Sequence, residues 1–154
     1  MIVFSLVAAS SGAVALVGQR AVGKTANKSV TYTGIIAGTA AGGYDAVAYF
    51  SDNAAKPGDP AITLTHDGAT WRFVSEENRA AFQADPIRYS PAYGGHCAWA
   101  IAKGYKAKGD PKFWNIVDNR LFLNFDKNIQ NRWKKDVAGF IAAADKKWPS
   151  IIVS

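Results

Sequence analysis

The chain has 154 residues, 49% hydrophobic and 19% charged, a globular balance that excludes wholesale disorder, collagen and coiled coil and suffices for one domain. Eighteen Lys and Arg against 12 Asp and Glu leave a net charge of +6, so the folded surface attracts anions. One Cys and two His exclude a disulfide framework and a multi-cysteine zinc site within a single chain.

Residues 1–18 carry no charge and are apolar and small, with Arg20, Lys24 and Lys28 following. They read as an export signal or anchor, with Ala13 and Ala15 at the small-x-small spacing of a cleavage site, and they place the protein in the periplasm or another exported compartment. As a membrane span the run is diluted by Ser5, Ser10, Ser11 and Gly12. Residues 19–31 read as a polar linker ahead of a domain at 32–152. No repeat of 20 to 50 residues is apparent.

In the domain, Tyr44-Asp45-Ala46-Val47-Ala48-Tyr49-Phe50 follows two glycines and reads as a strand. Ile62, Leu64 and His66 alternate with threonines as a second strand, and Asp67-Gly68 turns it into a return strand at 70–74. Ser75 is an N-cap, with Glu76 and Glu77 in the first turn of a helix that runs to about Ala84 and stops at Asp85-Pro86. A second helix is expected from about Gly95 to Lys103, ending at Gly104. Asp110-Pro111 reads as a short turn, and a hairpin joins 113–117 to 121–125 across Asp118-Asn119-Arg120. Asp126 caps a long amphipathic helix carrying Ile129, Trp133, Val137, Phe140, Ile141 and Ala144 on one stripe. The fold class is α+β: small antiparallel hairpins packed on about three helices, with a C-terminal hairpin and long amphipathic helix.

Across roughly residues 30–150 the chain resembles the YHS domain family, in its small, exported, bacterial stand-alone form. The residues that carry the resemblance are Gly43-Tyr44-Asp45-Ala46-Val47-Ala48-Tyr49-Phe50, Trp71-Arg72-Phe73-Val74-Ser75-Glu76-Glu77-Asn78-Arg79, Phe82, Asp85-Pro86, Tyr89, Tyr93-Gly94-Gly95-His96-Cys97-Ala98, Asp110-Pro111, Trp114, Leu121-Phe122-Leu123-Asn124-Phe125 and Trp133. The resemblance implies a hairpin packed on a helix. In heavy-metal members of the family, cysteines flank that hairpin and open that helix; the corresponding positions here are Ala48, Val74 and Asn78, so a family-style thiolate site does not carry over.

His96-Cys97 beside a glycine pair is the sharpest chemical feature. A thiol at a helix start has its thiolate favoured by the dipole and free N–H groups, which makes Cys97 a candidate nucleophile or redox thiol. Imidazole and thiolate also suit a copper ion, with His66 as a third ligand if the fold brings it to His96 and Cys97. Adjacent helical residues point about 100° apart, so convergence is not automatic. Asp45 is expected to accept backbone N–H groups across the domain. Gly94-Gly95 is a weak anion-nest signal. Lys103, Lys106, Lys108 and Lys112 lie near Tyr105 and Trp114; they suit an anionic envelope surface, and no nucleic-acid partner is expected of an exported protein. No GxSxG, HExxH or spaced CxxC occurs. The leading reading is an exported binding module for a metal ion such as copper, or for a small ligand, near His96 and Cys97. The alternatives are a thiol-dependent redox protein using Cys97 and a structural or interaction domain of the envelope.

Overall fold

Two dipeptides bring the strands back on themselves. Asp67-Gly68 and Asp118-Asn119 all adopt positive φ (51°, 71°, 49° and 60°), as a two-residue type I′ hairpin loop demands, and its twist matches that of the strands it joins. In the computed structural model, which describes residues 30–154, the elements run α1 (Ala48–Ser51), β1 (Asp59–His66), β2 (Ala69–Phe73), α2 (Glu76–Ala84), α3 (Pro86–Tyr89), α4 (Ala98–Lys103), β3 (Asp110–Val117), β4 (Arg120–Asn124), α5 (Lys127–Trp133) and α6 (Val137–Ile151). Strands β1 and β2 form one antiparallel sheet and β3 and β4 another. The fold is thus α+β, as expected.

The chain is built twice over. In both hairpins the register shifts by a bulge near the start: Asp59 pairs with Phe73 and His66 with Ala69, just as Asp110 pairs with Asn124 and Val117 with Arg120. Each sheet is preceded by a left-handed 3-10 turn, Ala40–Gly43 or Ala92–Gly95, and followed by a capped helix. Asn78 N donates to the Ser75 cap at 3.1 Å, and Ile129 N to the Asp126 cap at 2.8 Å. Inside, Trp71 and Phe82 lie 4.6 Å apart at 36°, and Phe122 and Trp133 lie 5.4 Å apart at 40°. The period is about 50 residues, at the edge of the range in which repeats are sought, and this corrects the reading of a chain without repeats.

Each copy has its own core. Trp71, Phe73 and Phe82 pack around Ala46 in the first. Tyr93, Ile101, Phe122 and Trp133 form the second, which α6 completes through Ala144 and Ile151. Tyr49, Leu121 and Leu123 form the seam between them. There the Tyr49 hydroxyl donates to Pro111 O at 2.7 Å, and burial pushes its pKa far up.

Four local expectations are corrected. Residues 44–50 are not a strand, because the Asp45 carboxylate accepts from Val47 N (2.8 Å) and Ala48 N (3.3 Å) and so starts α1. The second helix begins at Ala98 rather than Gly95, since Gly95 has φ 80° and Cys97 has a non-helical ψ of 117°. Asp110-Pro111 opens β3 instead of a turn. The long C-terminal helix is broken at Asp136 (φ −153°, ψ 67°), whose side chain accepts from Gly139 N at 3.0 Å and caps α6 afresh. The signal segment and most of the linker lie outside the described residues. Among the described residues no helix is long and apolar enough to cross a membrane.

Candidate functional site

The left-handed turn before α4 decides where His96 and Cys97 point. Tyr93 (φ 57°), Gly94 (φ 62°) and Gly95 (φ 80°) reverse the chain, and His96 N closes the turn on Tyr93 O at 3.1 Å. Residues 30–32 cover the turn instead of leaving it open to an anion. Tyr32 N donates to Gly94 O at 2.8 Å, and a Cβ at Gly94 would collide with Val30 O.

From this turn the two side chains leave in different directions. The His96 ring stands between Tyr32 and Trp148, with centroids 5.4 and 5.8 Å away, and lines a cleft of about 320 Å³ with Thr31, Thr33 and Lys106. Its Nδ1 is 2.8 Å from Tyr93 O. A carbonyl only accepts, so Nδ1 carries the proton and Nε2 holds the lone pair. Burial lowers the His96 pKa below its ordinary value, against a smaller upward pull from the Tyr93 carbonyl. The ring at neutral pH is therefore an uncharged acceptor.

This cleft adjoins a larger one of about 590 Å³, the two sharing Val30, Thr31 and Trp148. The larger cleft lies between the hairpin tips, where His66 and Asp67 of the first copy face Asn119 and Arg120 of the second, with Arg88, Trp71 and Tyr93 completing the walls. Arg120 is tied down: it pairs with both carboxylate oxygens of Asp145 at 2.9 Å, and the Tyr93 hydroxyl donates to Asp145 at 2.8 Å. These bonds hold the Asp145 carboxyl below the usual range, while burial and the hydrogen bond to Asp145 raise the Tyr93 phenol. Arg88, stacked 5.2 Å over Tyr89, makes no ion pair among the described residues.

Cys97 turns the other way. It is fully buried, its Sγ 3.6 Å from Asn124 Oδ1, and it lines a separate apolar pocket. The thiol is expected from its helix-start position to ionise easily; the structure reverses this, because burial raises its pKa and outweighs the N–H groups of Ala100, Phe125 and Trp99 directed at it. His66 is at the hairpin tip in the larger cleft, 5.7 Å from the Phe82 ring. His66, His96 and Cys97 thus face three separate places, and no group of three or more His, Cys, Asp or Glu among the described residues is arranged to hold a metal ion.

Internal symmetry explains the Cys97 environment. In the first copy Asp45 sits where Cys97 sits in the second, and it accepts from Val47 N, Ala48 N and Val74 N, the counterparts of Trp99, Ala100 and Phe125. Asn78 Nδ2 adds a fourth donor at 2.8 Å. The expected cross-domain role of Asp45 is therefore present. Ala48, Val74 and Asn78, the positions where the YHS resemblance would place cysteines, all surround this carboxylate.

The sequence reading missed Tyr32, Arg88 and Trp148 as cleft residues. Their signal is weak, since each is a single side chain brought in from a distant element. Comparison of the chain with protein-family models, curated proteins and solved structures finds no match.

Proposed function

We propose that the protein is an exported binding module of the YHS type, and that its ligand is a small planar molecule carrying one N–H or O–H donor and one anionic group. The observation that carries this reading is the His96 ring, fixed by Tyr93 O with Nε2 as its acceptor, between two aromatic rings in a cleft that continues toward Arg88, which makes no ion pair among the described residues. The ligand plane packs on Trp148, its donor meets His96 Nε2, and its anion meets Arg88 or Lys106. A copper ion would need His96 and Cys97 together, and they face separate cavities. The export reading rests on the uncharged residues 1–18.

Indole-3-acetate is a suitable probe, titrated by calorimetry. Loss of the N–H (1-methylindole-3-acetate), of the carboxylate (indole), or of either partner (His96→Ala, Arg88→Gln) is expected to weaken binding about tenfold each, the scale of one good polar contact. No saturable binding, or equal affinity for all three probes, would overturn the proposal. So would Cu(I) binding lost equally in His96→Ala and Cys97→Ser.

A further inference from the structure

The two copies differ at the residue that follows the 3-10 turn, and a cavity lies beside it in the second copy. In the first copy the space beside the 3-10 turn is filled by a polar lock, Asp45 with Asn78, roofed by Val74 and flanked by Val47. The counterparts in the second copy are Cys97, Ile129, Phe125 and Trp99. The lock's own side chains have become apolar or a thiol, and the acceptor has moved to the buried Asn124, whose Oδ1 takes Trp99 N at 3.2 Å and lies 3.6 Å from Cys97 Sγ. In place of the lock is a pocket of about 210 Å³ lined by Cys97, Trp99, Ala100, Tyr105, Phe125 and Ile129, with Ala107 closing it. Tyr105 and Phe125 are two of the eight large apolar side chains left exposed among the described residues, at 50% and 42%. Large aromatic side chains at the lip of an apolar cavity leave apolar surface in water that an occupant would cover.

The charges beside the lining rings of Trp99 and Phe125 select the occupant. Lys103 Nζ stands 5.3 Å from the centre of the Trp99 ring and 5.4 Å from that of Phe140 and makes no ion pair among the described residues, and Lys108 Nζ stands 4.9 Å from the Phe125 ring. Among the described residues the only carboxylate paired with either is Asp110, 3.8 Å from Lys108, and the Asp126 carboxylate that caps α5 is the acidic group near Cys97. We propose that this pocket binds a small amphiphilic carboxylate, its aliphatic chain against Trp99, Phe125 and Ile129 and its head group at Lys103. The site is separate from the His96 cleft and does not depend on the function proposed for that cleft.

The test is titration of the full chain with octanoate, followed by amide chemical shifts and calorimetry. Saturable shifts are expected at Trp99, Tyr105 and Phe125, with octanol bound about tenfold more weakly because it lacks the charge. Cys97→Asp with Ile129→Asn rebuilds the polar lock of the first copy and is expected to lower octanoate affinity at least about tenfold while leaving indole-3-acetate unaffected. Ala107→Leu fills the same space without touching the lock, and carries the test if the double variant does not fold. Absence of saturable shifts, shifts confined to other regions, octanol bound as tightly as octanoate, or unchanged affinity in the folded variants would each overturn the proposal.

Discussion

Asp45→Ala is expected to destabilise the protein by at least about 4 kcal/mol, the largest single effect outside the aromatic core. The carboxylate is fully buried and accepts from Val47 N, Ala48 N, Val74 N and Asn78 Nδ2. Removing it leaves those donors without an acceptor, and each orphaned buried donor costs about 1–3 kcal/mol. It also disconnects α1 from the start of α2, the join that holds the first copy together. Asp45→Asn keeps one carbonyl acceptor and should lose about half as much. Urea denaturation measures both; a loss below about 1 kcal/mol for the alanine variant would contradict the role given to this residue.

The Cys97 thiol is expected to react with a neutral disulfide or maleimide reagent at least about a thousandfold more slowly in the native protein than in urea. The thiol has no exposed surface, and burial keeps it protonated at neutral pH. Reaction then waits for opening of α4 and β4, which costs a large part of the global stability, commonly at least 4 to 5 kcal/mol. Native reactivity within about tenfold of the unfolded rate would restore the redox reading of Cys97, because it would mean an accessible thiolate.

How much of this was legible in the residues depends on how local each signal is. The Asp67-Gly68 hairpin, the Ser75 and Asp126 caps and the Gly104 stop are set by one or two residues acting on their own backbone and were read correctly, while the second hairpin was read with Arg120 in its loop and Arg120 in fact opens β4. The segment at Tyr44 was misread because alternation and aromatic content suggest a strand, whereas a single buried carboxylate recruiting two N–H groups makes it a helical turn. The duplication was missed because the two copies share backbone conformation far more than side chains. Its sequence trace is short: Gly-Gly-x-x-Ala at Gly42 and Gly94, and Gly-Asp-Pro at Gly58 and Gly109. The opposed directions of His96 and Cys97 follow from non-helical backbone at both (ψ 159° and 117°), where a helix was expected. The clefts depend on Tyr32, Arg88 and Trp148 meeting across the fold, which no periodicity encodes.

The central claim is that His96 is a preset neutral acceptor in a ligand cleft, and nitrogen-15 spectroscopy of its imidazole addresses that claim directly. The account predicts a single Nδ1–H tautomer at pH 7 and a titration midpoint below the ordinary value of about 6.5. Because the unfolded state then binds the proton more readily, stability falls as pH drops from about 6.5 toward that midpoint. Saturating indole-3-acetate should move the Nε2 resonance, and its binding should weaken as His96 becomes protonated and loses its acceptor. A midpoint at or above 6.5, an Nε2–H tautomer, or an Nε2 signal unmoved by bound ligand would contradict it.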